Sequence, residues 1–110
     1  MRQLEDLTKK IIEIQQARDW KQFHAPKNIA IALVAEAAEL VAHYRFEDDP
    51  PVSDKLADEA GDVFYNFLLY CHEAGIDPEA AIEHTFAKID LKYSVDKAHG
   101  RPEKYDRLAE

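Results

Sequence analysis

Apolar residues in this chain recur at spacings of three and four, and the residues that break helices sit only between those runs. Leu4, Leu7, Ile11, Ile14 and Ala17 trace one such stripe, which predicts a first helix over about 3–18. "RDWKQFHAP" interrupts the period, and Pro26 suits the first turn of a second helix over about 26–46. "FEDDPPV" blocks its continuation, because neither proline offers an amide hydrogen. Ser53 or Asp54 caps a third helix that closes at Gly75, and Asp77 followed by Pro78 opens a fourth that runs to about Tyr93. With only three glycines in 110 residues, a turn-rich β fold is disfavoured. The expectation is an all-α, four-helix domain over 1–93. Residues 94–110, which lack a sustained period, should form a tail packed on a neighbour or partly mobile.

The second helix contains a contradiction. "IAIALVAEAAEL" is apolar around most of its circumference, which predicts burial, yet it carries Glu36 and Glu39. A helix advances about 100° per residue, so Glu36, Glu39, His43 and Phe46 share a stripe. Glu59, Asp62 and Asn66 form a matching stripe on the third helix, with Leu56, Val63, Phe67 and Tyr70 expected as its core side. Two antiparallel helices joined by a short loop would let four carboxylates converge across one groove. Such a group repels itself unless protons or cations intervene. Mg²⁺ suits an all-oxygen set, with Mn²⁺ as a substitute. A carboxylate di-iron site would need Glu-x-x-His pairs, and the chain has none. A solvated acidic face is the plainer alternative reading.

Charge narrows the choice of partners. The net charge is −8, and residues 31–84 hold thirteen acids against Arg45 and Lys55 alone. That disfavours nucleic acid as a partner, since a phosphate backbone calls for a basic stripe. No apolar run reaches the ~20 residues needed to span a bilayer, and the charged start "MRQLEDLTKK" shows no signal peptide. Cys71 is the single cysteine and cannot form an intrachain disulfide. These features suit the cytoplasm.

"EAAE" (36–39) followed by "EAGD" (59–62) resembles the E-x-x-E…E-x-x-D signature of the all-α, MazG-like nucleoside triphosphate pyrophosphohydrolases. "RDWKQFHAP" ahead of the first pair resembles the dCTP pyrophosphatase branch, and "KYSVDKAHGRPEKY" resembles the tail of bacterial members. The resemblance covers about residues 13–107. It implies Mg²⁺-dependent hydrolysis of a nucleoside triphosphate, dCTP or a related or modified pyrimidine, to the monophosphate and pyrophosphate, as house-cleaning of the nucleotide pool. By position, Glu36, Glu39, Glu59 and Asp62 would hold the metal, and Glu36 or Glu39 would orient or deprotonate the attacking water, with Glu39 favoured.

The resemblance also assigns the nucleobase to Trp20, Phe23, His24 and Phe46, for which a hydrophobic plug over the bundle is the alternative reading of Trp20 and Phe23. Asn66 would face sugar or base, and Lys27, Lys88 and Tyr93 the phosphates. The tail departs from the family pattern: Lys88 is kept, the family's Asn is missing and Ser94 replaces a proline, which weakens the assignments of Lys88 and Tyr93. An apolar second helix too large for one bundle to cover implies an interface between subunits. The family's assemblies imply a homotetramer, or else a dimer, with helices paired through that interface. A helical oligomer that binds nucleotide or a protein partner without catalysis is the alternative function.

Overall fold

The computed structural model describes residues 3–108, which contain helices and no strand. α1 spans Leu4–Ala17, α2 Pro26–Ala42, α3 Asp54–Ala74, α4 Pro78–Lys92 and the short α5 Val95–Ala98, with 3₁₀ turns at Lys21–Phe23 and Tyr105–Arg107. No helix among the described residues is long and apolar enough to cross a membrane. The four long helices of an all-α fold are therefore present. The chain divides into two compact units, Met1–Ile76 and Asp77–Glu110, so α4 groups with the segment expected as a tail.

Local chemistry sets most of the boundaries. Ser53 Oγ accepts from the Leu56 amide at 3.3 Å and starts α3. Gly75, at φ 73°, ends it: the Ile76 amide returns to the Cys71 carbonyl at 2.8 Å and the Gly75 amide to His72 at 3.3 Å. Asp77 Oδ1 accepts from the Glu79 amide at 3.0 Å, ahead of Pro78 in the first turn of α4.

The end of α1 uses the same closure without a glycine. Asp19 sits at φ 52°, a region that Asp tolerates better than most side chains. Around it the Trp20 amide bonds to the Gln15 carbonyl at 3.0 Å and the Asp19 amide to Gln16 at 3.2 Å. This reversal turns the chain into the segment that carries Trp20, Phe23 and His24. Lys21 Nζ ties that segment to α3 through Glu73 Oε2 at 3.3 Å.

In the first unit α3 is the central element, packed extensively on α2 and less on α1. The core joins Ile11, Ile29, Leu68 and Leu69, with Leu4, Leu7, Tyr65 and Tyr70 against it. Three expectations are corrected here. First, α2 buries only Ile29, while Ile31, Val34 and Val41 are exposed, because one neighbouring helix cannot cover a helix that is apolar all round. Second, the buried residues of α3 are Leu56, Leu68, Leu69 and Cys71; Phe67 is exposed, since α1 and α2 approach on a side rotated from the one expected. Third, α2 stops at Ala42, four residues early. The Tyr44 and Arg45 amides turn back to the carbonyls three residues earlier, at 2.9 and 3.3 Å, which tightens the last turn instead of extending it.

Gln15 is an unexpected member of this interior. It lies one turn beyond Ile11 on the apolar stripe, is buried, and donates through Nε2 to the Tyr65 hydroxyl at 2.6 Å. In the second unit Tyr105 meets Tyr93 edge to face at 6.1 Å, and the Lys92 ammonium lies 4.5 Å from the centre of the Tyr105 ring. Those contacts fold residues 99–107 back toward the end of α4.

Candidate carboxylate site

Glu36 and Glu39 lie one turn apart on α2, and Glu59 and Asp62 one turn apart on α3, the helix packed against it. The packing brings all four into one electrostatic neighbourhood. Glu36 is the inner member: it is half-buried, and its Oε2 is buried without a hydrogen-bond partner. Its carboxyl titrates above the ordinary glutamate range. Burial is the leading cause, followed by the charges of Glu39 and Asp62, a hydrogen bond with Glu39 and the charge of Glu59.

That shift has a signed consequence for stability. A folded-state pKa raised above the unfolded value means that the native chain holds the proton more tightly. The contribution of Glu36 is then fully present below the ordinary value of about 4.5 and is lost as pH rises through the raised value. In chelator, the melting temperature of Glu36→Gln should therefore gain on that of wild type as pH rises from about 4.5 toward neutrality. Parallel curves of melting temperature against pH would refute the repulsion.

A second contact in the same region joins the helices: His43 Nε2 meets Glu59 Oε2, with both side chains about three-quarters buried. His43 and Glu59, together with Glu39 and Ala42, line an open cleft of about 230 Å³. The donors present are hard oxygens with one buried Glu36 oxygen unsatisfied, which fits a cation such as Mg²⁺. Among the described residues, however, no three His, Cys, Asp or Glu side chains form a cluster ready to hold a metal ion. The convergence expected from the sequence is thus a shared neighbourhood and not a preassembled cage. Carboxylates that repel one another have no reason to close up on their own.

The other candidates are more dispersed. Trp20 and Phe23 are exposed, with the Arg18 guanidinium 5.6 Å from the Trp20 ring centre, so they do not plug the bundle. His24 follows on the same segment, half-buried, with Nδ1 buried and unpartnered. Phe46 is 92% exposed just past the end of α2, beneath the Arg45 guanidinium at 5.1 Å. Asn66 turns its Nδ2 back to the Asp62 carbonyl at 2.9 Å, which occupies one of its donors within α3. Lys27 is exposed in the first turn of α2. Lys88 and Tyr93 belong to the second unit, where Lys88 is exposed and Tyr93 packs on Tyr105. The link between His43 and Glu59 was not assigned from the sequence. Its only signal there is the position of His43 one turn after Glu39, which does not reveal a partner on another helix.

No family model matches the chain. Among known proteins it is similar to dCTP pyrophosphatase 1 of Mus musculus, 30% identical over 118 residues that cover 96% of this chain and 67% of that protein. The Homo sapiens protein of the same name is 28% identical over 117 residues, with the same coverage of each. A solved structure of a pyrophosphatase from Archaeoglobus fulgidus superposes with a TM-score of 0.74 at 27% identity, over 86% of this chain and 94% of that one.

Proposed function

The chain belongs to the MazG-like nucleoside triphosphate pyrophosphohydrolases, in the dCTP pyrophosphatase branch, and on that premise we propose that it hydrolyses dCTP, or a related or modified pyrimidine deoxynucleotide, with Mg²⁺. Pyrophosphohydrolase activity follows from membership. The substrate and the metal are our reading. The observation that carries it is the buried, unpartnered Glu36 Oε2 among Glu39, Glu59 and Asp62, an arrangement costly to keep unless a ligand compensates it.

In this reading Glu36, Glu39, Glu59 and Asp62 hold the ion, for which Mn²⁺ can substitute. When bound, Mg²⁺ neutralises phosphate charge and acidifies a water. Glu39, the exposed member on the wall of the cleft, takes the proton of the water that attacks the α-phosphorus. The bond from that phosphorus to the oxygen bridging to the β-phosphate breaks, and pyrophosphate leaves. Exposed Trp20, Phe23 and Phe46 offer ring faces on which a base can stack, with His24 beside them as a polar reader of its edge. Lys27, Lys88 and Tyr93 remain candidates for the phosphates, and Asn66 for the sugar.

The test is pyrophosphate release from a panel of deoxynucleoside triphosphates, with Mg²⁺ and with chelator. Turnover of pyrimidine substrates first, abolished by chelator, is expected. Purine preference would overturn the base assignment, and undiminished turnover in chelator the metal.

The same reading includes self-association. Ile31, Val34 and Val41 expose an apolar face on α2, with Val34 68% exposed, and α4 buries no residue. Faces of that kind mark interfaces. A homotetramer is proposed, with a dimer as the alternative, in a cytoplasmic setting where nucleotide pools are cleansed. Sedimentation equilibrium should return a multiple of the 12.6 kDa chain mass; a monomer at micromolar concentration would overturn it.

A further inference from the structure

His43 is the one cleft-lining ionisable group that the proposed reaction leaves without a task. It follows Glu39 by one turn at the C-terminal cap of α2, where the helix tightens and stops. Its Nε2 reaches across to Glu59 Oε2 on α3, and both side chains are about three-quarters buried. No salt bridge of a lysine or arginine joins α2 to α3 among the described residues. Glu59 Oε2 is buried without a hydrogen-bond partner, and the imidazole Nε2 against it is the group placed to supply one when it carries a proton. A bond from that nitrogen would engage one oxygen of Glu59 and leave the other available.

Holding a carboxylate in this way matters for a cation. A glutamate side chain has several rotatable bonds, and one allowed to swing must be ordered when the ion binds. Partners that hydrogen-bond a ligating carboxylate settle that orientation beforehand, and their loss typically weakens metal binding by about 10–100-fold. His43 is the side chain that meets Glu59 Oε2 from α2, and the four carboxylates do not form a ready cluster without help.

We propose that His43 is a positioning residue that holds Glu59 for divalent-cation binding, acting through that carboxylate and not on the nucleotide. The inference rests on the proposed metal reading. It assigns this chain's cation site an outer partner at the end of α2.

The experiment is a titration of the full-length chain with Mg²⁺ alone, followed by calorimetry and by melting temperature, with no nucleotide present. His43→Leu, which keeps bulk and removes the donor, should raise the apparent Kd about tenfold. His43→Gln, which restores a donor, should recover most of that loss. In a Glu59→Gln background His43→Leu should add almost nothing, because the residue through which it acts is already altered. Wild-type affinity in His43→Leu, or a full tenfold loss that persists in the Glu59→Gln background, would overturn the proposal while leaving the metal reading intact. Absence of any Mg²⁺ binding by wild type would overturn both. The melting temperature in chelator separates a folding defect in His43→Leu from a binding one, and His43→Ala, which also removes the donor, carries the test if the leucine variant is unstable.

Discussion

Glu39→Gln and Asp62→Asn should each lower the rate of pyrophosphate release by at least about a hundredfold, the scale on which positioned proton acceptors and charge stabilisers act. Both substitutions keep the shape of the side chain and remove its charge, so helix content and packing should survive. Their second effect runs the other way. Glu39 and Asp62 are the two largest charge contributions that raise the Glu36 carboxyl, and neutralising either relieves that repulsion. In chelator the variants should melt no lower than wild type, and the gain in melting temperature on adding Mg²⁺ should shrink. Loss of activity with unimpaired folding would separate a catalytic cluster from a merely acidic surface. Rates within a few-fold of wild type in both variants would remove the carboxylates from the mechanism.

Leu68→Ala should destabilise the chain by about 2–5 kcal/mol, the range for emptying a well-packed leucine site. Leu68 is 2% exposed and sits where α1, α2 and α3 meet, against Ile11, Ile29 and Leu69. The described buried core of the first unit is small, so little surrounding mass can collapse into the space. Urea denaturation at one fixed protein concentration measures the effect, since self-association would make stability depend on concentration. A shift below about 1 kcal/mol would mean that this three-helix junction is not where the first unit draws its stability.

Signals that act within a few residues were legible in advance. Ser53, Gly75 and the Asp77–Pro78 pair cap or close helices through bonds to their own neighbours, so their residue types suffice to place the boundaries of α3 and the start of α4. The spacing of Glu36 with Glu39 and of Glu59 with Asp62 likewise guaranteed two carboxylates per helix face, whatever the packing. Asp19 was less readable. It plays the part usually given to glycine at a helix end, and only the backbone reveals its left-handed turn.

The residues misjudged from the sequence are those whose surroundings come from elsewhere in the chain. Phe67 lies on a face that periodicity allows to be core, yet α1 and α2 approach α3 on the side of Leu68 and Leu69. Gln15 had no reading from the sequence, because its hydrogen-bond partner, Tyr65, lies fifty positions away. α2 is apolar enough to predict burial and too apolar for one bundle to cover, and of its residues a single chain fully buries only Ile29.

By itself, then, the sequence determined an all-α chain with its helices nearly in place and two carboxylate pairs on helix faces, because helix periodicity and capping are local. Only the tertiary structure decided how closely the two pairs approach, that Glu36 and Glu59 each keep a buried oxygen without a hydrogen bond, and that His43 lies against Glu59. Those outcomes depend on the rotation of α2 against α3, which side-chain packing sets across the interface and no local pattern encodes.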